Sequence, residues 1–274
     1  MIKKAAKFNL ILFLIMIFLA ACTAEKKEVQ LACKFDPHKI YHFVYDSKVS
    51  SRMYENDSLT YAGEQDHNLT YTRRALELLD DNRARLLFEY AMKKDTGQTS
   101  TWSTACIMQT NGGISDFETD SSISYAAAEY YQNLFEQTSP VYPEEPVSEG
   151  YKWSHSVKVL VDEGRSDANT TYTIKSLVRE GGFDCAVIEY QGNILIPLGE
   201  ECPGEKAVIT GGMDRIEVEG VAYFAYKEGL VIREEENSHL VREGTLRQDK
   251  ETIRFKIDEN RYYSSRLIDI ETME

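Results

Sequence analysis

Residues 63–72 read GEQDHNLTYT, and residues 164–173 read GRSDANTTYT. Six of these ten positions are identical at a constant offset of 101 residues. Internal repetition at a fixed offset is typical of folds that are built from repeated supersecondary units. The repeat therefore predicts a chain made of two homologous halves.

Both copies continue as β-structure. After the first copy, apolar side chains occupy every second position, the spacing of a half-buried strand, at Ala84, Leu86, Phe88, Tyr90 and Met92. Turn residues separate the two strands of each copy, at 80–82 in the first and at Gly181-Gly182 in the second. We predict further strands at 40–50, 101–109, 151–162, 206–210, 213–226, 230–235, 239–247 and 251–257.

One helix is predicted between the copies, at about residues 120–137. Its apolar stripe comprises Ile123, Ala127, Tyr130, Tyr131, Leu134 and Phe135. Three of the six prolines follow within residues 140–146 and predict a semi-rigid connector.

The predicted fold is therefore mainly β: two duplicated antiparallel β units with one α-helix, packed as a sandwich or as a curved, half-barrel-like sheet. The predicted divisions are a signal peptide at 1–21, an N-terminal segment and flexible tether at 22–39, a first β repeat with its helix at 40–139, a connector at 140–150 and a second β repeat at 151–274.

The first 22 residues have the pattern of a targeting segment. Three lysines precede an apolar run from Leu10 to Ala21, which is the pattern of a secretory signal peptide. The run ends in LAAC at 19–22, which resembles a lipobox, and this resemblance implies that Cys22 carries acyl chains that anchor the protein to a membrane. The alternative is an ordinary signal-peptide cleavage site with a chance cysteine. Thr23, where some bacteria use Asp to retain lipoproteins in the inner membrane, favours the outer membrane, with the body in the periplasm or at the cell surface.

The charge balance excludes one class of partner. The chain has 31 Lys and Arg against 45 Asp and Glu, a formal net charge of −14. Residues 1–21 contain three lysines and no acid, so the mature chain carries −17. Such acidity argues against nucleic-acid binding, which depends on Lys and Arg. The charged run at 233–236 is interpreted as a solvated face.

Four cysteines remain beside Cys22, an even number in an exported chain, and they suggest two disulfides with three possible connectivities. Cys185 and Cys202 flank a predicted hairpin and form the local pair, which leaves Cys33 with Cys106. The alternative is four buried thiols. No C-x-x-C pair is present, so a structural zinc site is not indicated.

The sequence offers few candidates for chemistry. The repeated Asp and Asn of the two decapeptides suggest either a cation site or a hairpin turn with a left-handed glycine, and the turn is favoured. His38 and His42 stand near Asp36 on a predicted strand and are interpreted as surface histidines. No nucleophile, phosphate-loop or metalloprotease motif occurs, so neither an enzyme nor a cofactor or metal is predicted, although a hydrolase is not excluded.

The segment PVSEGYKW at 146–153, followed by Tyr172-Thr173 and a hairpin, resembles a pattern in β-rich bacterial lipoproteins. These are loosely similar to the Lol-type and mycobacterial lipid-carrier half-barrels. The resemblance implies a curved antiparallel sheet that covers helices and holds acyl chains. We expect a non-enzymatic envelope lipoprotein that binds an apolar ligand or a protein partner on a sheet face. Trp102, Trp153 and several tyrosines either line an apolar cavity or pack as ordinary core and cross-strand residues. The alternative is an interaction or structural lipoprotein whose core is filled.

Overall fold

The computed structural model describes residues 27–93, 97–119, 125–161, 164–198, 207–248 and 251–273. The elements in these ranges are β1 Glu28–Val29, β2 Lys39–Glu55, β3 Ser58–Asp80, β4 Arg83–Lys93, β5 Thr99–Gln109, β6 Ile114–Thr119, α1 Tyr125–Thr138, β7 Val147–Ser148, β8 Lys152–Val161, β9 Gly164–Glu180, β10 Phe183–Pro197, β11 Ala207–Ala225, β12 Leu230–Gln248 and β13 Glu251–Thr272. The predicted signal peptide and Cys22 lie outside the described residues.

Eleven of these strands form one antiparallel sheet, in the order β6-β5-β4-β3-β2-β13-β12-β11-β10-β9-β8. It consists of two meanders, β2 to β6 and β8 to β13, which join where β2 pairs with β13. The two short strands β1 and β7 pair separately. The fold is therefore mainly β, as predicted, and takes the form of one sheet that is not closed into a barrel. The sandwich alternative is wrong, because the two meanders share one hydrogen-bonded ladder instead of facing each other as separate sheets.

The sheet is strongly curved. Tyr41 and Phe43 on β2 pack in one cluster with Cys185 on β10 and Ala225 on β11. In a flat sheet β2 and β10, which are four positions apart, would be separated by roughly 19 Å. Leu230 and Ile232 of β12 and Leu267 of β13 fill the interval within this cluster. The bend itself is shown by Arg73 of β3 and Tyr172 of β9, which are six positions apart in the sheet and nevertheless line one cavity, so the sheet has a concave face. Helix α1 contacts β6 and β10.

The repeated decapeptides lie within strands. GEQDHNLTYT is part of β3 and GRSDANTTYT is part of β9, the second strand of each meander. The hairpin-turn interpretation is therefore wrong, and Gly63 has no positive φ. The predicted turns at 80–82 and at Gly181-Gly182 separate β3 from β4 and β9 from β10. Gly181 and Gly182 adopt φ values of 55° and 90°.

Several predicted strands merge into longer ones. The segments predicted at 206–210 and 213–226 form the single strand β11, and those predicted at 230–235 and 239–247 form β12. Gly211 and Gly212, at φ values of 157° and 153°, lie beside a register shift in β11. A bulge of this kind bends a strand without ending it, which is why the glycines did not mark a turn.

The predicted tether is wrong for the segment from 28 to 33. Val29 of β1 pairs with Val147 of β7, and Leu31 is only 1% exposed. Val29, Leu31 and Cys33 alternate and enter one core cluster with residues of β9, β10 and β11. This alternation is the sequence signal that the tether prediction overlooked.

The cysteines that the structure describes are free thiols. Cys33, Cys106 and Cys185 are all buried. The predicted Cys33–Cys106 disulfide is therefore not formed in the structure. The Cys185–Cys202 disulfide stays a prediction because Cys202 lies outside the described residues. Burial raises the pKa of Cys106 and of Cys185 to about 11, which suppresses the reactive thiolate.

Candidate functional site

Two adjoining cavities lie on the concave face of the sheet, beside the C-terminal half of α1. The first has a volume of about 240 Å³ and the second about 630 Å³. They share a boundary formed by Phe135, Thr138, Ile194, Glu234, Glu236 and Tyr263. The concave face is therefore incompletely filled, and its free space is bordered by both apolar and ionisable side chains.

The helix is fastened over this space by polar and aromatic contacts. The side chain of Gln137 donates a hydrogen bond to the Leu195 carbonyl at 2.7 Å and accepts one from the Leu195 amide at 3.0 Å. Phe135 packs on Phe117 of β6 with ring centroids 5.0 Å apart. Because Gln137 is only 4% exposed, these bonds fix the end of α1 against β10.

Aromatic ladders cross the concave face in both meanders. In the second meander, Trp153 stacks on Tyr172 at 5.0 Å and Tyr172 contacts Tyr190 at 6.0 Å. The rungs of the first meander, which also contact in strand order, are Phe43, Tyr71, Tyr90 and Trp102. Tyr71 and Tyr172 are the tyrosines of the repeated decapeptides. Part of the sequence repeat therefore corresponds to a repeated rung of the ladders.

Gly220 extends the second ladder toward the centre of the sheet. It is paired with Tyr190 on one side and with Glu236 on the other. A Cβ atom at Gly220 would lie 2.4 Å from the ring and the hydroxyl of Tyr190. The missing side chain thus lets the Tyr190 ring lie across β11 and reach the carboxyl groups of β12.

At the boundary of the two cavities, two glutamates meet two tyrosines. The Tyr190 hydroxyl lies 2.9 Å from Glu234 Oε1 and 2.9 Å from Glu236 Oε2. The Tyr263 hydroxyl donates a hydrogen bond to Glu236 Oε2 at 3.3 Å. We refer to these four side chains as the carboxyl–tyrosine cluster.

Burial sets the protonation of this cluster. Desolvation raises the pKa of Glu236 to about 7, and the neighbouring charge of Glu234 adds to the effect. Desolvation also raises the pKa of Glu234, against the lowering effect of hydrogen bonds from Tyr190 and Tyr263. The pKa values of both tyrosines rise well above the usual phenol value for the same reason, so both remain donors.

The solvated-face interpretation of the run at 233–236 is therefore wrong for Glu234 and Glu236. These two residues face inward, whereas Arg233 and Glu235 form an ion pair of 2.6 Å on the other face of β12. Successive side chains of a strand point to opposite faces, so a charged run on a strand divides between them.

Two further polar side chains, Arg73 and Tyr142, line the first cavity. Arg73 of β3 lies over the Tyr41 ring, with 5.8 Å between the guanidinium carbon and the ring centroid. Tyr142 follows the helix, is only 4% exposed and contacts Phe224 with ring centroids 4.7 Å apart. Arg73, Tyr142 and Cys33 all line the first cavity.

The connector places Tyr142 by a close backbone contact. The Tyr142 amide donates a hydrogen bond to the Asn111 carbonyl at 2.6 Å. Gly112 adopts φ 89°, and a Cβ atom there would lie 2.1 Å from the Pro140 carbonyl oxygen. Only glycine satisfies both the conformation and the approach, so Gly112 allows the connector to dock on the β5–β6 turn.

The residues that the sequence singled out lie apart from one another. Trp102 and Trp153 are rungs of opposite ladders and line neither of the two cavities, so the alternative that they line the ligand cavity is wrong for both. His42 contacts Glu271 at 3.2 Å and His239 contacts Asp258 at 3.0 Å. Within the ranges that the structure describes, no three metal-ligating side chains come together, and no helix is long and apolar enough to span a membrane. The carboxyl–tyrosine cluster and Arg73 were not predicted.

Comparison with known proteins finds no matching family model and no match among curated proteins. Among solved structures, lipovitellin, studied for its lipid–protein interactions, is 13% identical with a TM-score of 0.45, and the match covers 88% of this chain. This chain spans about a quarter of lipovitellin, since the match covers 26% of that chain.

Two further solved structures are bacterial. An exported protein with a YmcC-like fold from Bacteroides fragilis NCTC 9343 is 12% identical, with a TM-score of 0.29 and coverage of 88% of this chain and 99% of its own. A lipoprotein from Parabacteroides distasonis ATCC 8503 is 14% identical, with a TM-score of 0.29 and coverage of 87% and 99%. All three TM-scores lie below 0.5, so the fold and site described above rest on this chain's own residues.

Proposed function

We propose that this protein is a lipid-anchored envelope lipoprotein that binds a small apolar ligand in the space between the concave face of its sheet and helix α1. The observation that carries the proposal is the pair of adjoining cavities, about 240 and 630 Å³, lined by aromatic ladders and by apolar residues of β10 and β11. Together the two cavities fall within the range of about 300–1,000 Å³ that is typical of binding sites for small ligands, which combine an apolar lining with a few polar groups.

The wall of the first cavity supports an apolar occupant. Ile188, Ala222 and Phe224 contribute side chains from two adjacent strands, and Met108 contributes one from β5. Free volume beside such groups forfeits the dispersion contacts that a filled core would make. An apolar molecule in this space would restore those contacts, and this favours a ligand over the filled-core alternative.

The membrane anchor in this proposal is supported by the sequence at 19–22. Metabolic labelling with palmitate should mark the wild-type protein, and Cys22→Ala should abolish the label and either release the protein from the membrane fraction or block processing. An unlabelled wild-type chain would remove the anchor from the proposal and leave the cavity unaffected.

Ligand binding can be tested with 1-octanol, a neutral molecule with an apolar chain. The mature lipidated protein is placed in nanodiscs, and calorimetric titration is corrected with empty nanodiscs for partition of the alcohol into lipid. We expect saturable binding of one molecule per cavity system. The absence of saturable binding would overturn the proposal.

A matched pair of variants locates the binding. Ala222 lines the first cavity, and Val221 is its neighbour on the opposite face of β11. We expect Ala222→Phe to weaken octanol binding about tenfold or more by filling the cavity, and Val221→Phe to leave it unchanged. Thermal unfolding by circular dichroism checks that both variants are folded. Equal weakening in the two variants would place the binding elsewhere.

The hydrolase alternative receives one supporting feature, because Glu234 and Glu236 are two carboxyl groups beside a cavity. Each can accept a hydrogen bond from a tyrosine hydroxyl, Glu234 from Tyr190 and Glu236 from Tyr263, and this hydrogen bonding favours a structural or ligand-facing role. A non-enzymatic function therefore stays our proposal, and the protein-partner alternative stays a prediction.

A further inference from the structure

Arg73, a cation that lines the first cavity, forms no ion pair with any acidic side chain of the described residues. Arg73 projects from the concave face of β3, within a chain whose acidic residues outnumber its basic ones by 45 to 31. Among the described residues, the ion pairs and side-chain hydrogen bonds involve many arginines, including its neighbour Arg74, which contacts Glu89 at 3.8 Å. Arg73 takes part in none of them, and its guanidinium group lies over the Tyr41 ring.

A second donor faces the same space. Tyr142 is 4% exposed, and its backbone amide is bonded to Asn111, but its hydroxyl makes no hydrogen bond with any group in the described parts of the chain. Buried hydroxyl and guanidinium groups in native proteins almost always have a partner. No polar atom of Arg73 or Tyr142 is both fully enclosed by protein and without a partner. Because these groups lack acceptors among the described residues, their polar ends are accessible, and both residues line the cavity.

The two groups have complementary requirements. The guanidinium offers a planar set of donors that matches two oxygens of a carboxylate, and the phenol offers one further donor. Neither donor is bonded to an acceptor in the described parts of the chain, and the adjoining wall of the cavity is apolar. Glu234 and Glu236, which line the same cavity, disfavour a head group with two negative charges more strongly than one with a single charge.

We propose that Arg73 and Tyr142 form the head-group subsite of the cavity and that the ligand is an amphiphile with a single carboxylate, whose apolar chain extends along Ile188 and Ala222. This inference rests on the proposed ligand-binding function and names the ligand class of the same site.

The test compares four probes that share an octyl chain: octanoate, 1-octanol, octyl phosphate and octylammonium. Each is titrated at pH 8 into the mature protein in nanodiscs, with empty nanodiscs as the blank. A charge-assisted hydrogen bond to the guanidinium should make octanoate bind about tenfold or more tightly than octanol. Equal affinity of the two would overturn the inference and leave the proposed cavity function intact.

Variants assign the preference to its residues. Arg73→Met should bring the Kd of octanoate to that of octanol, and Tyr142→Phe should weaken octanoate alone by about threefold or more. Arg74→Met, which removes the neighbouring arginine on the other face of β3, should change neither Kd. A preference for octanoate that survives Arg73→Met would overturn the inference.

The remaining outcomes are equally decisive. Tighter binding of octyl phosphate would replace the carboxylate by a phosphate and overturn the stated ligand class. Tighter binding of octylammonium would make the carboxyl–tyrosine cluster the head-group partner instead of Arg73. If none of the four probes binds, both this inference and the proposed function fail.

Discussion

At the scale of single residues, the carboxyl–tyrosine cluster can be understood by counting protons. Tyr190 carries one hydroxyl hydrogen, yet it lies 2.9 Å from both Glu234 and Glu236. It can donate to only one of them, so the second contact requires that the other carboxyl group holds a proton and donates it. The raised pKa of Glu236, about 7, agrees with a cluster that carries one carboxyl proton near neutral pH.

The cluster predicts a pH-dependent stability. The folded protein holds a proton on Glu236 up to a pKa of about 7, whereas the unfolded chain releases it near the ordinary value of 4.5. Between these values the folded state binds more protons, so the free energy of unfolding should fall as the pH rises through this window. Glu236→Gln should flatten this slope and raise stability at pH 8 by at most about 3 kcal/mol.

Urea unfolding of the wild-type protein and the variant at pH 4 to 8 measures this effect. Glu235→Gln is the matched control, because Glu235 lies on the other face of β12 with Arg233, and it should leave the slope between pH 4.5 and 7 unchanged. The two stability curves should converge below pH 4.5. Parallel curves for wild type and Glu236→Gln would contradict the proton assignment.

At the scale of elements, the connector that follows α1 depends on one glycine. Pro140 packs its carbonyl against Gly112 at the β5–β6 turn, and the next residues carry Tyr142 into the core. The position of a donor in the first cavity is thus set by a turn about thirty residues earlier in the chain. This coupling links the stability of the turn to the shape of the cavity.

Gly112→Ala should lower the free energy of unfolding by about 1–3 kcal/mol, because the new Cβ meets both an unfavourable φ and the Pro140 carbonyl. Gly150→Ala is the control, since Gly150 has φ 88° but nothing lies within 4 Å of its Cβ position. The difference in unfolding free energy between the two variants isolates the steric clash. Equal losses of unfolding free energy in the two variants would show that the connector moves away from the new Cβ atom without an energetic penalty.

The elements also show what the sequence could predict. Alternation and turn residues located most strands, and the decapeptide repeat placed Tyr71 and Tyr172 in equivalent strands. The inward direction of Glu234 and Glu236 was available from the sequence as well, because they share the parity of the buried Ile232. The cavity was not available, because it depends on pairing between β2 and β13, which are more than two hundred residues apart.

At the scale of the whole molecule, the two meanders depend on one seam. β2 pairs with β13 through an unbroken register from Glu55 to Phe43, and the core clusters combine side chains of both meanders. Contacts of this extent between the halves favour unfolding as one unit. The repeat in the sequence therefore does not imply that the two halves unfold separately, and unfolding experiments can test this.

The two tryptophans report on the halves separately, since the chain contains only two and each lies in a different meander. Trp102→Phe leaves a probe on β8, and Trp153→Phe leaves one on β5. We expect the fluorescence transition of each variant in urea to coincide with its own circular dichroism transition. A fluorescence midpoint separated from the circular dichroism midpoint in either variant would show that the meanders unfold independently.

The pairing of β1 with β7 limits how far the folded body can lie from Cys22. Glu28 is held to Ser148, and only six peptide units separate it from Cys22. Such a length reaches at most about 22 Å when fully extended. This segment is shorter than the bilayer is thick. If Cys22 carries acyl chains, the acidic body therefore stays close to the lipid head groups.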